Sequence, residues 1–599
     1  MSMPLSVVNF GFILLASWES FATSFQFALL NGGPASMFYG GILACLGECA
    51  VGFSLAELAS IDPTVGAQYR WSANLAPIYP RFWGLLQGWI TVFAWCFACG
   101  GPPSLISTII TSLAIFNDED YVPERWHTSL IMIATLIVPF IFNLWFRKIL
   151  DSFEIFGGVL HICLFVVFIA VLSSLGTRGS SDYVFKTLTW DSGWNNKGVS
   201  FGLGMLSATF SLTGCDSVLH MSDEVKKVNT RVPRSMILAC VVNSVFLMAF
   251  IIVLLFFMGP LDAIPEGAPL PIVYVLYSAT GSKQATNTLV ALIAILYFVC
   301  LFNVFASVSR LIWVFAKDNG LPFSNTFAYV HPTLKLPVNA LAFVAVIIIC
   351  LSLIYIGSAT AFNALISLQT FALHVSYFFP ILFMLIRRIR GPPPPYGSFK
   401  LGAFGVPLNV LSLFFLVYVA MWMPFPQMLP VTKDNMNYAG PIFGAVVIAL
   451  PRERASFYVQ QHSPVELHPP NFPEIIYLCA NMLPTIFRVV LQTVIFYGAF
   501  SRFTHGRFTP AFHEYQTARA PNNEYTRFIP IFDVVFATLL FSAKARPWIA
   551  LLCAIAQGGG IIKLVQEGKD VTPDVGLFTL AMAVFLTSWF RGEKRETSK

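Results

Sequence analysis

Long apolar blocks alternate with short polar stretches along this chain. They cover residues 6–30, 36–60, 82–114, 128–149, 152–175, 198–222, 235–258, 286–315, 337–356, 359–387 and 405–424. A helix rises about 1.5 Å per residue, so a hydrocarbon core of about 30 Å takes about 20 apolar residues to cross. Each block meets that length, and the pattern predicts an all-α polytopic membrane protein. A twelfth run, 438–450, is short for a span and ends on Pro451-Arg452-Glu453-Arg454. Four more apolar runs follow at 474–499, 528–544, 547–566 and 573–590. The expected organisation is a domain over 1–450, a polar Pro-rich linker over 451–472, and an additional segment of about four membrane helices over 473–599.

Composition agrees. Hydrophobic residues make up 56% of the 599 positions and charged residues 11%, where soluble domains carry about 25% charged. The net charge of +6 has a topological origin rather than a nucleic-acid partner. With the N-terminus placed in the cytoplasm, the inside loops of the first eleven spans hold Arg70, Arg81, Arg147, Lys148, Lys226, Lys227, Arg231, Arg234, Arg310, Lys317, Lys335, Arg387, Arg388, Arg390 and Lys400. The outside loops hold only Arg125, Arg178, Lys186, Lys197, Lys283 and Lys433, an asymmetry that supports this orientation. Beyond 450 the basic loops point both ways. No basic stretch precedes the first apolar run, so that span itself is expected to target the chain.

The 11 cysteines, among them Cys45, Cys49, Cys163, Cys240, Cys300 and Cys350 inside apolar blocks, have no ligand-like spacing and read as small packing residues. Gly100-Gly101-Pro102-Pro103 reads as a kink in the third span. Gly558-Gly559-Gly560 lacks the Lys-Ser/Thr of a phosphate-binding loop. The sequence offers no zinc pattern and no hydrolase triad. The expectation is therefore no catalytic residue, no metal and no cofactor, with any transport driven by a gradient.

Two of the acids inside the blocks carry the most information. Glu19 lies in Ser17-Trp18-Glu19-Ser20 and Asp216 in Gly214-Cys215-Asp216-Ser217. An ionisable group within a bilayer is costly and points to function. Small neighbours make each helix easy to break, and freed backbone groups are tolerated only where they line a cavity. Two broken helices in corresponding positions mark the binding site of an inverted-repeat transporter. Substrate is thus expected between Ser17, Trp18, Glu19, Ser20, Thr213, Gly214, Cys215, Asp216 and Ser217. Glu19 either pairs with a cationic amine, carries a coupled proton, or hydrogen-bonds a neighbouring helix. Trp18 either stacks on an ammonium group or packs. His161, in the fifth span, is a third titratable group available for proton coupling, or else a satisfied core histidine. Glu48 has no assigned role, and His374 reads as structural.

Several motifs occur in a characteristic order. They are Leu29-Leu30-Asn31-Gly32-Gly33-Pro34, then Ser54-Leu55-Ala56-Glu57-Leu58-Ala59-Ser60 and Pro63-Thr64-Val65-Gly66-Ala67-Gln68-Tyr69. Gly214-Cys215-Asp216, His220-Met221-Ser222-Asp223-Glu224 and Arg231-Val232-Pro233-Arg234 follow. Ser309-Arg310, Ala316-Lys317-Asp318-Asn319-Gly320-Leu321-Pro322 and Met436-Asn437-Tyr438-Ala439 complete the set. Over residues 6–450 the chain resembles the fungal amino acid/choline/GABA permeases of the amino acid–polyamine–organocation superfamily. The likeness stops in the twelfth run, so 473–599 reads as a gene fusion or a gene-model error.

The resemblance implies a five-plus-five inverted-repeat fold with two extra helices, in which spans 1 and 6 unwind around the substrate. It implies a secondary active transporter for a small amino acid or amine, such as GABA or choline, coupled to protons and residing in the plasma membrane or an internal membrane. A non-concentrative facilitator or exchanger, or a transporter-like nutrient sensor, is the alternative. Glu57, Asp223, Glu224, Arg231, Arg234 and Arg310 are expected to form a cytoplasmic gate of opposite charges. The alternative for this group is a solvated, positively biased loop.

Overall fold

The structure is a computed structural model. It describes residues 4–448 apart from 119, 147–149, 261–262, 266–267, 391–393, 395 and 433–434. Towards the C-terminus it describes 529–540, 545–566 and isolated positions between 491 and 585. The chain divides into two compact units, Met1–Gln461 and His462–Lys599, a division that falls within the stretch read as a linker. Residues 449–490, including that stretch, lie outside the described ones.

The first unit is built from helices α1 Pro4–Leu15, α2 Ser17–Leu30, α3 Gly33–Ile61, α4 Ala67–Leu75, α5 Pro80–Ala98 and α6 Gly101–Asn117. Next come α7 Arg125–Trp145, α8 Leu150–Leu175, α9 Ser181–Lys186, α10 Lys197–Leu212 and a 3₁₀ segment, Cys215–Glu224. The remainder are α11 Val228–Phe257, α12 Pro271–Thr280, α13 Lys283–Lys317, α14 Ser324–Phe327, α15 Val338–Gly357, α16 Ala359–Arg390, α17 Gly405–Trp422 and α18 Ala439–Ile448. Helix starts follow local chemistry. Pro34, Pro80 and Pro102 open α3, α5 and α6, where no intrahelical N–H is needed. Asn196 and Ser282 cap α10 and α13 with side-chain oxygens.

Among the described residues, 11 helices or broken helix pairs are long and apolar enough to cross a membrane, in the positions the apolar blocks predict. They sort by burial. Spans Ser6–Leu30, Gly33–Ile61, Lys197–Glu224 and Lys283–Lys317 are 67–72% buried, whereas Ser152–Leu175 and Gly402–Trp422 are 33% buried. The first group forms the protein interior. The second turns apolar residues such as Val159, Val166 and Phe414 outward, as lipid requires. Close approach is built in: a Cβ on Gly47 of α3 would collide with the Phe415 ring of α17.

Three spans are broken. Span 1 breaks at Ala16, whose φ of 41° is left-handed, and span 6 at Gly214, whose φ is 110°. Span 3 breaks between α5 and α6 at Cys99 and Gly100, where the Gly-Gly-Pro-Pro sequence predicts a kink. Gly214 meets its conformation without the Cβ penalty that Ala16 incurs. Beyond Gly214 the chain runs as 3₁₀ helix for 10 residues, long for that form and typical of a hinge.

The described part of α18 has 10 residues, about 15 Å of helix. The second unit shows helices α19 Ile529–Leu539 and α20 Arg546–Gln566, where two of the four later runs are predicted. Leu540, Ile549, Ala550 and Ala554 cluster within it, and Arg502 pairs with Asp533 at 2.6 Å. The runs 474–499 and 573–590 lie largely outside the described residues.

Candidate functional site

The two breaks face one another. A Cβ built on Gly214 would lie 3.9 Å from Leu14 and 3.6 Å from Trp95, and one on Gly11 would lie 3.0 Å from Val218. Chain ends at breaks leave N–H and C=O groups without helical partners. Glu19 stands in the first turn of α2, where the helix dipole favours a negative charge.

Glu19 and His161 meet. The His161 ring comes from α8, and its Nδ1 lies 2.5 Å from Glu19 Oε1, both residues being buried. Glu19 Oε2 and His161 Nε2 have no intramolecular hydrogen-bond partner. Nearby, Ser17 Oγ donates to the Asn243 side-chain oxygen at 2.6 Å, joining the break to α11. Tyr297 of α13 lies 3.1 Å from Thr23 Oγ1 and 3.5 Å from Ser20 Oγ. Trp18 is fully buried, its ring 5.0 Å from that of Phe168 and 5.5 Å from that of Phe250. Those contacts are packing contacts with α8 and α11.

Asp216 is the centre of a second cluster. Gln68 Nε2 of α4 donates to Oδ2 at 2.5 Å, Trp95 Nε1 of α5 donates to the same oxygen at 3.1 Å, and the Tyr377 hydroxyl of α16 donates to Oδ1 at 2.5 Å. His220 Nε2, four residues on, is 3.4 Å from Oδ2, while its Nδ1 faces the Val65 carbonyl at 3.2 Å. A carbonyl only accepts, so Nδ1 carries the hydrogen. One carboxylate thus ties four elements together. Its neighbours at the break are less engaged: Thr213 is half-buried, and the buried Ser217 Oγ has no intramolecular partner.

The charges predicted as a gate divide. Arg310 of α13 pairs with Glu224 at 2.7 Å. Glu57 pairs with Arg388 of α16 and also accepts the Leu401 N–H at 2.9 Å. Asp223 is exposed, and Arg231 is half-buried. Arg234 is exposed and forms no ion pair among the described residues, so Glu224 meets Arg310 rather than Arg234. The physical reason is direction: Arg234 points outward from the second turn of α11, whereas Arg310 is 6% exposed and faces the 3₁₀ segment. Arg70 pairs with Asp62 at 3.7 Å, and Tyr69 donates to Asp318 at 2.7 Å. Burial holds the Asp318 carboxyl above the usual carboxylate range, against the Tyr69 hydrogen bond and the Arg70 and Lys317 charges.

A cavity of about 140 Å³ lies at this end, lined by His220, Met221, Asp223, Glu224, Arg310, Trp313 and Lys335. It lies on the gate side of Asp216 rather than between the breaks. Sequence reasoning missed Gln68, Trp95 and Tyr377 as partners of Asp216. It also missed Glu154, buried in α8 with Asn303 Nδ2 at 3.1 Å. Glu154 is an acid inside an apolar block, a signal that was present in the sequence, whereas Gln68 falls in a stretch that the apolar pattern leaves as a loop. Trp95 and Tyr377 carried none, because aromatic residues in a span read as packing.

Residues 4–448 match the amino acid permease family. A Macrophomina phaseolina protein named for amino acid/polyamine transport is 29% identical over 440 residues, which cover 72% of this chain and 96% of the relative. A choline transporter of Saccharomyces cerevisiae is 31% identical over 440 residues, covering 72% of this chain and 77% of the relative. Amino-acid permease 2 of Neurospora crassa is 26% identical over 456 residues, covering 74% and 82%. These are permeases and transporters, not enzymes. With eleven apolar spans around paired breaks, the chain is an integral multi-pass membrane protein and belongs to the amino acid permease family.

Proposed function

We propose that the chain is a secondary active transporter that carries a small amino acid or amine together with protons. Residues 1–450 are the transporter domain, 451–472 a linker, and 473–599 an appended helical segment. The observation that carries the reading is the pairing of Glu19 with His161 beside the span 1 break, across from the span 6 break and Asp216. Equivalent breaks five spans apart fit a five-plus-five inverted repeat. In the proposed cycle, substrate binds between Ser17–Ser20 and Thr213–Ser217, with its amine towards Glu19 or Asp216 and its carboxylate, where it has one, on freed N–H groups. The Glu19–His161 pair takes up the proton. The inner end then opens by parting Asp216 from Gln68, Trp95 and Tyr377, and Glu224 from Arg310. The plasma membrane is the proposed site of action.

The test is uptake of a labelled panel (amino acids, GABA, choline and polyamines) by cells lacking their own permeases. Uptake of at least one compound should rise with outside acidity and collapse with a protonophore. Uptake that ignores pH and requires sodium defeats the proton assignment. Binding without flux across the panel points instead to a sensor.

A further inference from the structure

Another buried acid, Glu48, plays no part in the proposed cycle. It lies mid-way along α3, with Oε1 2.7 Å from His374 Nε2 of α16, and both side chains are almost fully buried. On its other side, His374 Nδ1 is 2.7 Å from the Thr370 carbonyl. That carbonyl can only accept, so Nδ1 carries a hydrogen. A neutral His374 then presents a bare Nε2 to Glu48. A bare ring nitrogen and a carboxylate oxygen are both acceptors, and two acceptors do not approach to 2.7 Å without a proton between them. The pair therefore holds one exchangeable proton, on Glu48 or on Nε2, and is neutral in either form.

Losing that proton leaves a net negative charge within the bilayer. Among the described residues no hydrogen-bond donor offsets it at the second oxygen, since Glu48 Oε2 has no intramolecular partner there. The titratable groups that act on Glu48 are Cys45 and Cys49 on its own helix, Asp216 and Cys215 on the 3₁₀ segment, and Tyr377 on α16. None is a cation, and Asp216 is a second acid. Glu19–His161 differs, because His161 Nε2 is unpartnered and the geometry there does not set a proton count.

We propose that Glu48 and His374 form a proton-binding site separate from Glu19–His161, whose single bound proton latches α3 to α16. The latch has a consequence for the inner end. Tyr377 lies one turn beyond His374, with ring centroids 6.2 Å apart, and holds Asp216. Further along the same two helices, Glu57 grips Arg388. Deprotonation sets two acceptors against each other at the middle of this contact, so α16 shifts and the Tyr377 hold on Asp216 loosens. Glu48 and His374 are positioning residues.

Glu48→Gln tests this on the full chain without substrate. The glutamine amide donates to the bare Nε2 and so reproduces the protonated pair permanently. Above pH 7 an unfolded Glu and His bind essentially no proton, while the folded pair binds one. The wild-type folding equilibrium should then fall by about tenfold per pH unit more steeply than that of the variant. The expected result is a melting temperature that declines between about pH 7 and 9 in wild type and declines less in Glu48→Gln. Identical pH profiles overturn the proposal. Should Glu48→Gln fail to fold, infrared difference spectra of wild type with labelled histidine decide. Spectra between about pH 7 and 9 that show either a protonated Glu48 carboxyl or a doubly protonated His374 ring support the site, and a Glu48 carboxylate beside a neutral His374 ring throughout that range overturns it.

Discussion

Removing the Tyr377 hydroxyl tests whether Asp216 holds the inner end closed. The Tyr377 ring is fully buried, and Phe fills the same ring volume. The loss is then one hydrogen bond onto Asp216 Oδ1, while Gln68 and Trp95 keep their bonds to Oδ2. A hydrogen bond to a charged group contributes about 1.5–3 kcal/mol. If that bond exists only while α4, α5, the 3₁₀ segment and α16 are drawn together, Tyr377→Phe raises the opening equilibrium by about ten- to a hundred-fold, at 1.4 kcal/mol per decade. Amide exchange reads this directly, because exchange through an opening scales with its equilibrium constant. The reporters are the Arg70 N–H on the Gly66 carbonyl and the Val225 N–H on the Ser222 carbonyl. Both should exchange faster by that factor. At the other end, the Gly32 N–H on the Thr189 carbonyl and the Gly179 N–H on the Phe256 carbonyl should not change. Unchanged exchange at Arg70 and Val225 refutes closure through Asp216. Equal acceleration at all four sites refutes it too, because it signals general destabilisation.

Three further outcomes are expected. Glu19→Gln keeps the size of the side chain but removes its charge beside His161, so concentrative uptake should fail while substrate exchange persists; wild-type accumulation in a flux assay would remove Glu19 from coupling. Asp216→Asn loses the charge on which three donors converge, so its melting temperature should fall by more than that of Glu19→Gln, with a cost of about 1.5–3 kcal/mol per charge-assisted bond weakened; equal melting temperatures would show that the donors are not stabilising. Asp318, just beyond α13, has a folded pKa raised by burial, so between the unfolded value of about 3.9 and the folded one the native state binds the extra proton and stability falls as pH rises. Asp318→Asn cannot ionise, so melting curves from acid towards neutral pH should show wild type losing ground to the variant, and a relative gain by wild type would reverse the sign of the argument.

The spans were legible because bilayer thickness imposes one length on every crossing. The breaks were legible too, at Ser17–Ser20 and around Gly214, because polar and small residues there cannot continue a lipid-facing helix. Short buried helices were not. The α4 helix, Ala67–Leu75, lies in what the apolar pattern leaves as a loop, and its role came from tertiary burial of Gln68. Pairings were hidden for a different reason. Glu19 and His161 are 142 residues apart, Asp216 and Tyr377 161, and Glu48 and His374 326. Periodicity places each on a face of its own helix but carries no record of which helix lies opposite. The same gap explains Arg234: its charge and motif suggested a gate, but the face that meets the 3₁₀ segment belongs to Arg310 on another helix.

Three of the buried acids, Glu19, Glu48 and Asp216, meet the cost of burial in three different ways. Asp216 meets donors at both oxygens, so its surroundings suit a fixed negative charge, and changing its proton means pulling four elements apart. Glu48 faces a histidine whose other nitrogen is already committed, so its surroundings suit a fixed proton. Glu19 is committed to neither. Its Oε1 meets His161, while its Oε2 and the far nitrogen of His161 keep open valences at the edge of the break. A group that changes charge once per cycle cannot be fully satisfied in one form, because the other form would then be out of reach. Of the three, the Glu19–His161 pair is the one in which both the carboxylate and the histidine ring keep an unpartnered polar atom. In the proposed cycle, charge change belongs at the break in span 1, closure at Asp216, and the bracing of α3 against α16 at Glu48.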